Sequence, residues 1–132
     1  MDTTLKAISR ELREMSSSQA ADWLMKTYPE GDPKISEALQ LISHISWKRA
    51  DQIRLARCYL KKLPFSSSKV YEIFASFMSF ELFVRAIQEQ LPIDKSDIDL
   101  LLYHLRPVLE KSAKTSSDRE LVASFIAKLT EG

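Results

Sequence analysis

The sequence predicts an all-α protein, folded as one domain over residues 1–132 with about six to seven helices. Apolar residues recur at steps of three and four along the whole chain, and no alternating strand pattern is present. Only two glycines and five prolines occur, which leaves few positions for the tight turns of an all-β protein. With 45% hydrophobic residues in 132, the chain is able to bury a core of its own.

The first half of the chain predicts four helices. The serine run 16–18 supplies the N-cap of the second helix, and Asp32 caps the third, with Pro33 at its first position. A strongly basic helix is expected over residues 46–63, capped by Ser46 and ended by Pro64. The expected inward positions of the first three helices are Leu5, Ile8, Leu12, Met15, Ala20, Trp23, Leu24, Tyr28, Ile35, Leu39 and Ile42.

The second half predicts three helices, of which the first is the longest. That helix is expected over residues 66–91, because apolar residues recur there every seven positions and form one continuous seam. The next helix starts at Asp94 or Ser96 and contains Pro107, which predicts either a kink or a break. The last helix is expected to start at a capping box of Ser117 and Glu120.

Two arrangements of these helices are compatible with the pattern. The helix pairs around Pro64 and around Lys114 could form hairpins like those of HEAT repeats. The only repeated signal is a helix start with three serines, at Ser16 and at Ser66, which is too little to establish a repeat. A globular bundle is therefore favoured.

The residues that usually carry metal or nucleotide chemistry are sparse. His44, Cys58 and His104 are far apart in sequence, with no C-x-x-C or H-E-x-x-H motif, so no metal site is predicted. Two glycines cannot form a phosphate-binding loop, and no cofactor is expected. A catalytic triad assembled from distant residues stays an alternative, but no nucleophile motif supports it, and we expect a protein that is not an enzyme.

The sequence predicts a cytoplasmic protein with no membrane partner. The first thirty residues mix charges and lack the apolar run of a signal peptide. The most apolar stretch is interrupted by Glu72, Glu81 and Arg85, and each charge at a membrane centre costs roughly 2.5 kcal/mol or more. A single cysteine, Cys58, fits a reducing compartment.

One carboxylate is expected in an unusual place. If the helix over 66–91 is continuous, Glu81 projects into its apolar seam, with Arg85 four residues later at the edge. We predict a partly buried ion pair between these two residues. The alternative is a perturbed carboxylate that lines a pocket or receives a basic group of a partner.

The basic helix is the main candidate for a binding surface. Residues 47–63 read WKRADQIRLARCYLKKL, with six basic residues and one acid, whereas the whole chain has a formal net charge of only +1. On a helical wheel Arg54, Arg57 and Lys61 fall on the side opposite the apolar arc, next to Trp47. These four residues are the predicted partner-binding site.

We expect this surface to bind another protein, as part of an adaptor, a regulator or an inhibitor. In that role Trp47 is an anchor, since Trp and Arg are over-represented at interfaces. The alternative for Trp47 is packing at the rim of the core. The alternative partner is a nucleic acid, although non-specific duplex binding usually draws on roughly 6 to 10 phosphate contacts and this helix offers fewer.

Overall fold

A computed structural model describes residues 2–61, 65, 67–91 and 94–130. Within these residues the chain forms eight α-helices and no strand, so the all-α prediction is confirmed. The helices are α1 (Thr3–Arg13), α2 (Ser17–Thr27), α3 (Ile35–Ile42), α4 (Arg49–Tyr59), α5 (Lys69–Phe77), α6 (Phe80–Glu89), α7 (Lys95–Ser112) and α8 (Ser116–Thr130). They fall into two compact units, Met1–Lys61 and Lys62–Gly132, and the single domain stays a prediction.

Unit 1 consists of two packed helix pairs, α1 with α3 and α2 with α4. Each helix buries apolar side chains at the three- and four-residue spacing that the sequence predicts. Most of the predicted inward positions are buried, whereas Met15 is exposed and Ile8, Trp23 and Ile35 are intermediate. The fully or nearly fully buried apolar side chains include Leu5, Leu12, Ala20, Ala21, Leu24, Ala38, Leu41, Ile42, Leu55, Ala56 and Leu60.

One tyrosine links α4 to the end of α2. The one hydroxyl proton of Tyr59 is shared between the carbonyl oxygens of Leu24, at 3.1 Å, and Tyr28, at 2.9 Å. The Leu24 carbonyl also accepts the Tyr28 backbone N–H at 2.8 Å, whereas the Tyr28 carbonyl lies past the end of α2, and Tyr59, 6% exposed, supplies it with a partner from α4. Burial raises the pKa of the Tyr59 hydroxyl, because ionisation would place a charge in the core.

The caps of unit 1 agree with the sequence at α2 and differ at α3 and α4. Ser16 forms a capping box with Gln19, as the serine run predicts. Helix α3 begins at Ile35, because Asp32 accepts a bond from the Lys34 amide at 2.8 Å and closes a turn over Pro33.

The prediction that Ser46 caps the basic helix is wrong. The N-cap of α4 is Lys48, whose extended backbone donates its N–H to the Ser17 hydroxyl at 3.0 Å. The preceding residue, Trp47, is turned back toward α3 by a hydrogen bond to Ile42. Residues 46–48 therefore connect the two helices. Helix α4 ends at Tyr59, before the predicted end of the basic helix, and Pro64 lies outside the described residues.

The long helix predicted over residues 66–91 is two helices. Met78 and Ser79 are extended, with ψ near 154° and 151°, and the Ser79 hydroxyl caps α6 by accepting the Leu82 N–H at 3.3 Å. An uninterrupted helix from 69 to 89 would extend roughly 30 Å. The break instead lets α5 and α6 pack against each other. Helix α5 also packs on α7, and α6 and α7 both pack on α8.

The last two helices resolve two further predictions. Helix α7 continues through Pro107, so the helix is not broken there. The predicted box of Ser117 and Glu120 is wrong, because Thr115 accepts the Asp118 N–H at 3.0 Å and starts α8 two residues earlier. Helices α7 and α8 pack together on either side of Lys114, where the sequence suggested a hairpin.

Among the helices that the structure describes, none has both the length and the apolar character needed to cross a membrane.

We predict that Tyr59→Phe reduces the fall in the free energy of unfolding at alkaline pH. An unfolded tyrosine ionises near pH 10, whereas folded Tyr59 keeps its proton above that pH. The native state then holds more protons, so the free energy of unfolding falls as the pH rises above about 10. At neutral pH the free energy of unfolding of the variant should be lower by about 1 kcal/mol, because the hydrogen bond of the hydroxyl is lost. Above about pH 10 it should fall less steeply than that of wild type.

Urea unfolding followed by circular dichroism between pH 7 and 11 measures both effects. Tyr103→Phe is the matched control, because the Tyr103 side chain is 75% exposed and makes no hydrogen bond within the described residues. An unchanged alkaline slope in Tyr59→Phe would contradict the assignment of this loss to Tyr59.

Candidate functional site

Arg54, the first predicted partner-binding cation, is held by two carboxylates of its own unit. Its guanidinium donates to Asp51 at 3.0 Å on α4 and forms an ion pair with Asp22 on α2. These two hydrogen bonds raise the pKa of Arg54, and the bond to Asp22 has the larger effect. The side chain of Asp51 is only 7% exposed, so Arg54 provides the positive charge beside a buried carboxylate.

Trp47, Arg57 and Lys61 have different environments. Trp47 is 8% exposed, and its indole N–H donates to the Ile42 carbonyl at 3.0 Å, so the indole is covered, as the packing alternative describes. Arg57 and Lys61 are exposed, and Lys61 lies beyond the last residue of α4. The structure therefore does not bring the four predicted residues together as one open surface. The role of these four residues in binding a partner stays a prediction.

Cys58 lies next to these cations and is half-buried. Burial raises the pKa of its thiol, and the charge of Lys61 acts in the opposite direction. A thiol with a raised pKa is mostly protonated at neutral pH and is a weak nucleophile.

The predicted pair of Glu81 and Arg85 is present but not buried. The two side chains are 2.9 Å apart, with 68% and 64% of their surfaces exposed. The prediction assumed one continuous helix, in which Glu81 follows the seam of Val70 and Phe77. Because the chain breaks at Ser79 and α6 starts anew at Phe80, the side chain turns outward.

Unit 2 contains a cleft between α5 and α7 with a volume of about 910 Å³. The α5 side presents mostly small residues, one or two in each turn. Its lining from α5 and the N-cap is Ser68, Glu72, Ala75 and Ser76. Its lining from α7 and the following connector is Tyr103, His104, Pro107, Val108, Lys111, Ser112 and Lys114.

Tyr103 is the most exposed large hydrophobic side chain in the described part of the chain, at 75%. Its ring stands edge-on to that of His104, with centroids 4.9 Å apart and an interplanar angle of 86°. Leu100, one turn earlier, is 40% exposed. Helix α7 therefore carries apolar side chains on its outer face as well as on its buried face.

The sequence contained a signal for Tyr103. Leu101 and Leu105 mark the buried side of α7, and at 100° per residue Tyr103 lies on the opposite side. An aromatic residue on the polar side of a helix is the kind of side chain that marks an interface. Tyr103 is not among the predicted partner-binding residues, which all belong to the basic helix predicted over residues 46–63.

In the part of the chain that the structure describes, no hydrogen bond joins the titratable side chains of this cleft to one another. Within the described residues, no hydrogen bond joins the His104 ring to a hydroxyl or carboxylate. In the same part of the chain, no group of three or more His, Cys, Asp or Glu side chains could hold a metal ion.

Comparison with known proteins gives no relative. No protein-family model matches the chain, no curated protein matches it, and no solved structure does. The function is argued below from the residues and their geometry.

We predict that Arg54→Ala destabilises the protein by about 1–3 kcal/mol, because it leaves the Asp51 carboxylate buried without its cation. Arg85→Ala removes an exposed pair at the same kind of helical spacing and should cost about 0.5 kcal/mol or less. Urea unfolding of the two variants measures the difference. Equal, small losses in both would show that Asp51 does not depend on Arg54.

Proposed function

We propose that the protein is a non-enzymatic protein-binding module, an adaptor, regulator or inhibitor, and that the α5–α7 cleft receives a segment of the partner. The observation that carries this proposal is the exposure of Tyr103 at the rim of the cleft. Tyrosine is enriched among the residues that dominate binding energy at interfaces, because it offers a large, rigid apolar surface with one polar tip.

The composition of the cleft supports a protein segment as its ligand. Helix α7 contributes two apolar residues to the cleft, Val108, which is 5% exposed, and Pro107, which is exposed. These two residues form the apolar floor of the cleft. Lysines and serines also line the cleft. A buried apolar centre with a polar rim is the usual anatomy of a protein interface.

The proposal includes a cytoplasmic location and the absence of catalysis. The single cysteine supports a reducing compartment. The lack of a nucleophile motif in the sequence supports a binding role.

The alternative is a nucleic-acid-binding regulator that uses the basic helix predicted over residues 46–63. The exposed positions of Arg57 and Lys61 support it. Against it, Arg54 already faces two carboxylates, and Trp47 is too covered to stack on a base. Protein binding is therefore the better-supported function.

We predict that Tyr103→Ala abolishes recovery of the partner. Tagged wild-type protein and the variant are incubated with extract of the source cells, and the bound proteins are quantified by mass spectrometry. Each recovered protein is then purified and its binding measured directly. If Tyr103 is a hot spot of the interface, its removal costs about 2 kcal/mol or more, which is roughly thirtyfold in Kd.

Met15→Ala is the control, because Met15 is also an exposed apolar residue, at 36%, but lies in unit 1. The proposal requires the same partner with wild type and Met15→Ala and its loss with Tyr103→Ala. A partner that is retained by Tyr103→Ala would rule out the cleft as its binding site.

For the alternative, we predict little binding to labelled mixed-sequence duplex or single-stranded oligonucleotides, because the net charge is +1 and Arg54 is paired. Fluorescence anisotropy at low and at physiological salt provides the measurement. Binding that weakens steeply with salt and disappears in Arg57→Glu/Lys61→Glu would make nucleic-acid binding the preferred function.

A further inference from the structure

We infer that the segment received by the α5–α7 cleft is acidic: a peptide stretch of a protein partner that carries carboxylates a short distance from an apolar residue. This inference rests on the proposed protein-binding function and identifies the chemistry of the partner.

The charge of the cleft is the first argument. Lys111 and Lys114 line it, whereas Glu72 is the one carboxylate among the described lining residues. A positively charged rim favours a negatively charged partner and speeds its encounter.

The two lysines differ from three arginines of the described residues in having no carboxylate partner there. Arg54, Arg85 and Arg106 all form ion pairs with acidic side chains of their own unit. For the ammonium groups of Lys111 and Lys114, no ion pair occurs within the described residues.

The acidic groups nearest to these two lysines in sequence are already engaged. Glu110 accepts from Arg106 at 2.9 Å, and Asp118 accepts from the backbone N–H of Lys114 at 3.2 Å. Both ammonium groups are thus available to carboxylates from outside.

Hydroxyl groups add further donors to the same cleft. Ser76 donates its hydroxyl to the Ile73 carbonyl at 2.6 Å and is therefore engaged. The hydroxyls of Ser68 and Ser112 make no hydrogen bond within the described residues, and both line the cleft. Carboxylates accept several hydrogen bonds at once, and those from charged donors are the strongest.

The spacing along α7 defines the expected peptide. Tyr103 and Lys111 are eight positions apart (111 − 103) in one helix, about 12 Å along its axis. An extended peptide covers that distance with about three or four residues. The partner segment should therefore carry an Asp or Glu three or four positions from the apolar residue that contacts Tyr103.

The test uses a phage library of random dodecamer peptides, selected on the full-length protein and read by sequencing. We expect enrichment of peptides with an acidic residue three or four positions from Leu, Ile, Met or Phe. A synthetic peptide from this set should bind Lys111→Glu/Lys114→Glu about tenfold more weakly than wild type, and more weakly at high salt. Circular dichroism verifies that each variant is folded.

Lys6→Glu/Lys26→Glu is the matched control, because both lysines are exposed on helices of unit 1 and the change in net charge is the same. Its affinity for the peptide should equal that of wild type. An equal loss in this control would assign the effect to net charge and overturn the inference.

The outcomes separate this inference from the function on which it rests. One outcome is a set of peptides that require Tyr103 but show no acidic preference, and another is a set that binds the Lys111→Glu/Lys114→Glu variant as tightly as wild type. Either result overturns the acidic partner but is consistent with the proposed binding cleft. Peptides that bind Tyr103→Ala as tightly as wild type, or no enrichment above the bare support, overturn both.

Discussion

Six of the eight described helices have 8 to 11 residues and are too short to be stable alone in water, so they depend on burying an apolar face against a neighbour. In the described part the helices run from the 8 residues of α3 to the 18 of α7. Isolated helices shorter than about 12–15 residues are marginal even in favourable sequences. The stability of both units therefore comes from side-chain packing, with caps and hydrogen bonds deciding where each helix starts and stops.

This dependence on burial determines which polar groups are tolerated inside. Asp51 and Ser9 are the buried polar or charged residues of the described core. Asp51 is compensated by Arg54, whereas the Ser9 hydroxyl has no hydrogen-bond partner among the described residues. An unsatisfied buried hydroxyl costs about 1–3 kcal/mol, so Ser9 is a place where unit 1 is less stable than its packing would allow.

The same constraint explains where a cleft is left open. Helix α5 buries Tyr71 and Phe74, and its other side carries small residues that cannot fill the space beside α7. Helix α7 in turn buries Leu101 and Leu105 and presents Tyr103 on its outer side. The cleft is thus bounded by two helices whose large side chains are mostly used in the core.

The helix class and most buried positions were predictable from the sequence, because the 3.6-residue period is a local signal. Helix boundaries were harder, since Ser79 and Ser117 have similar capping chemistry but only Ser79 caps a helix. That choice depends on packing, which sequence spacing does not contain.

The binding surface was the least predictable feature. Arg54 was expected to face a partner. It is instead neutralised by Asp22, and that ion pair can be foreseen only if the packing of α2 on α4 is known. Tyr103 could have been found from its position on the helical wheel. Its location beside a cleft could not, because that depends on how α5 packs against α7.

The division into two units has a consequence for spectroscopy. Both tryptophans, Trp23 and Trp47, belong to unit 1, and so does the single cysteine. Tryptophan emission therefore arises from residues of unit 1, whereas the far-ultraviolet signal of the peptide backbone includes the helices of both units. A denaturation profile recorded by the two signals would coincide if the units unfold together and separate if they do not. The natural positions of the chromophores thus resolve the two units without any labelling.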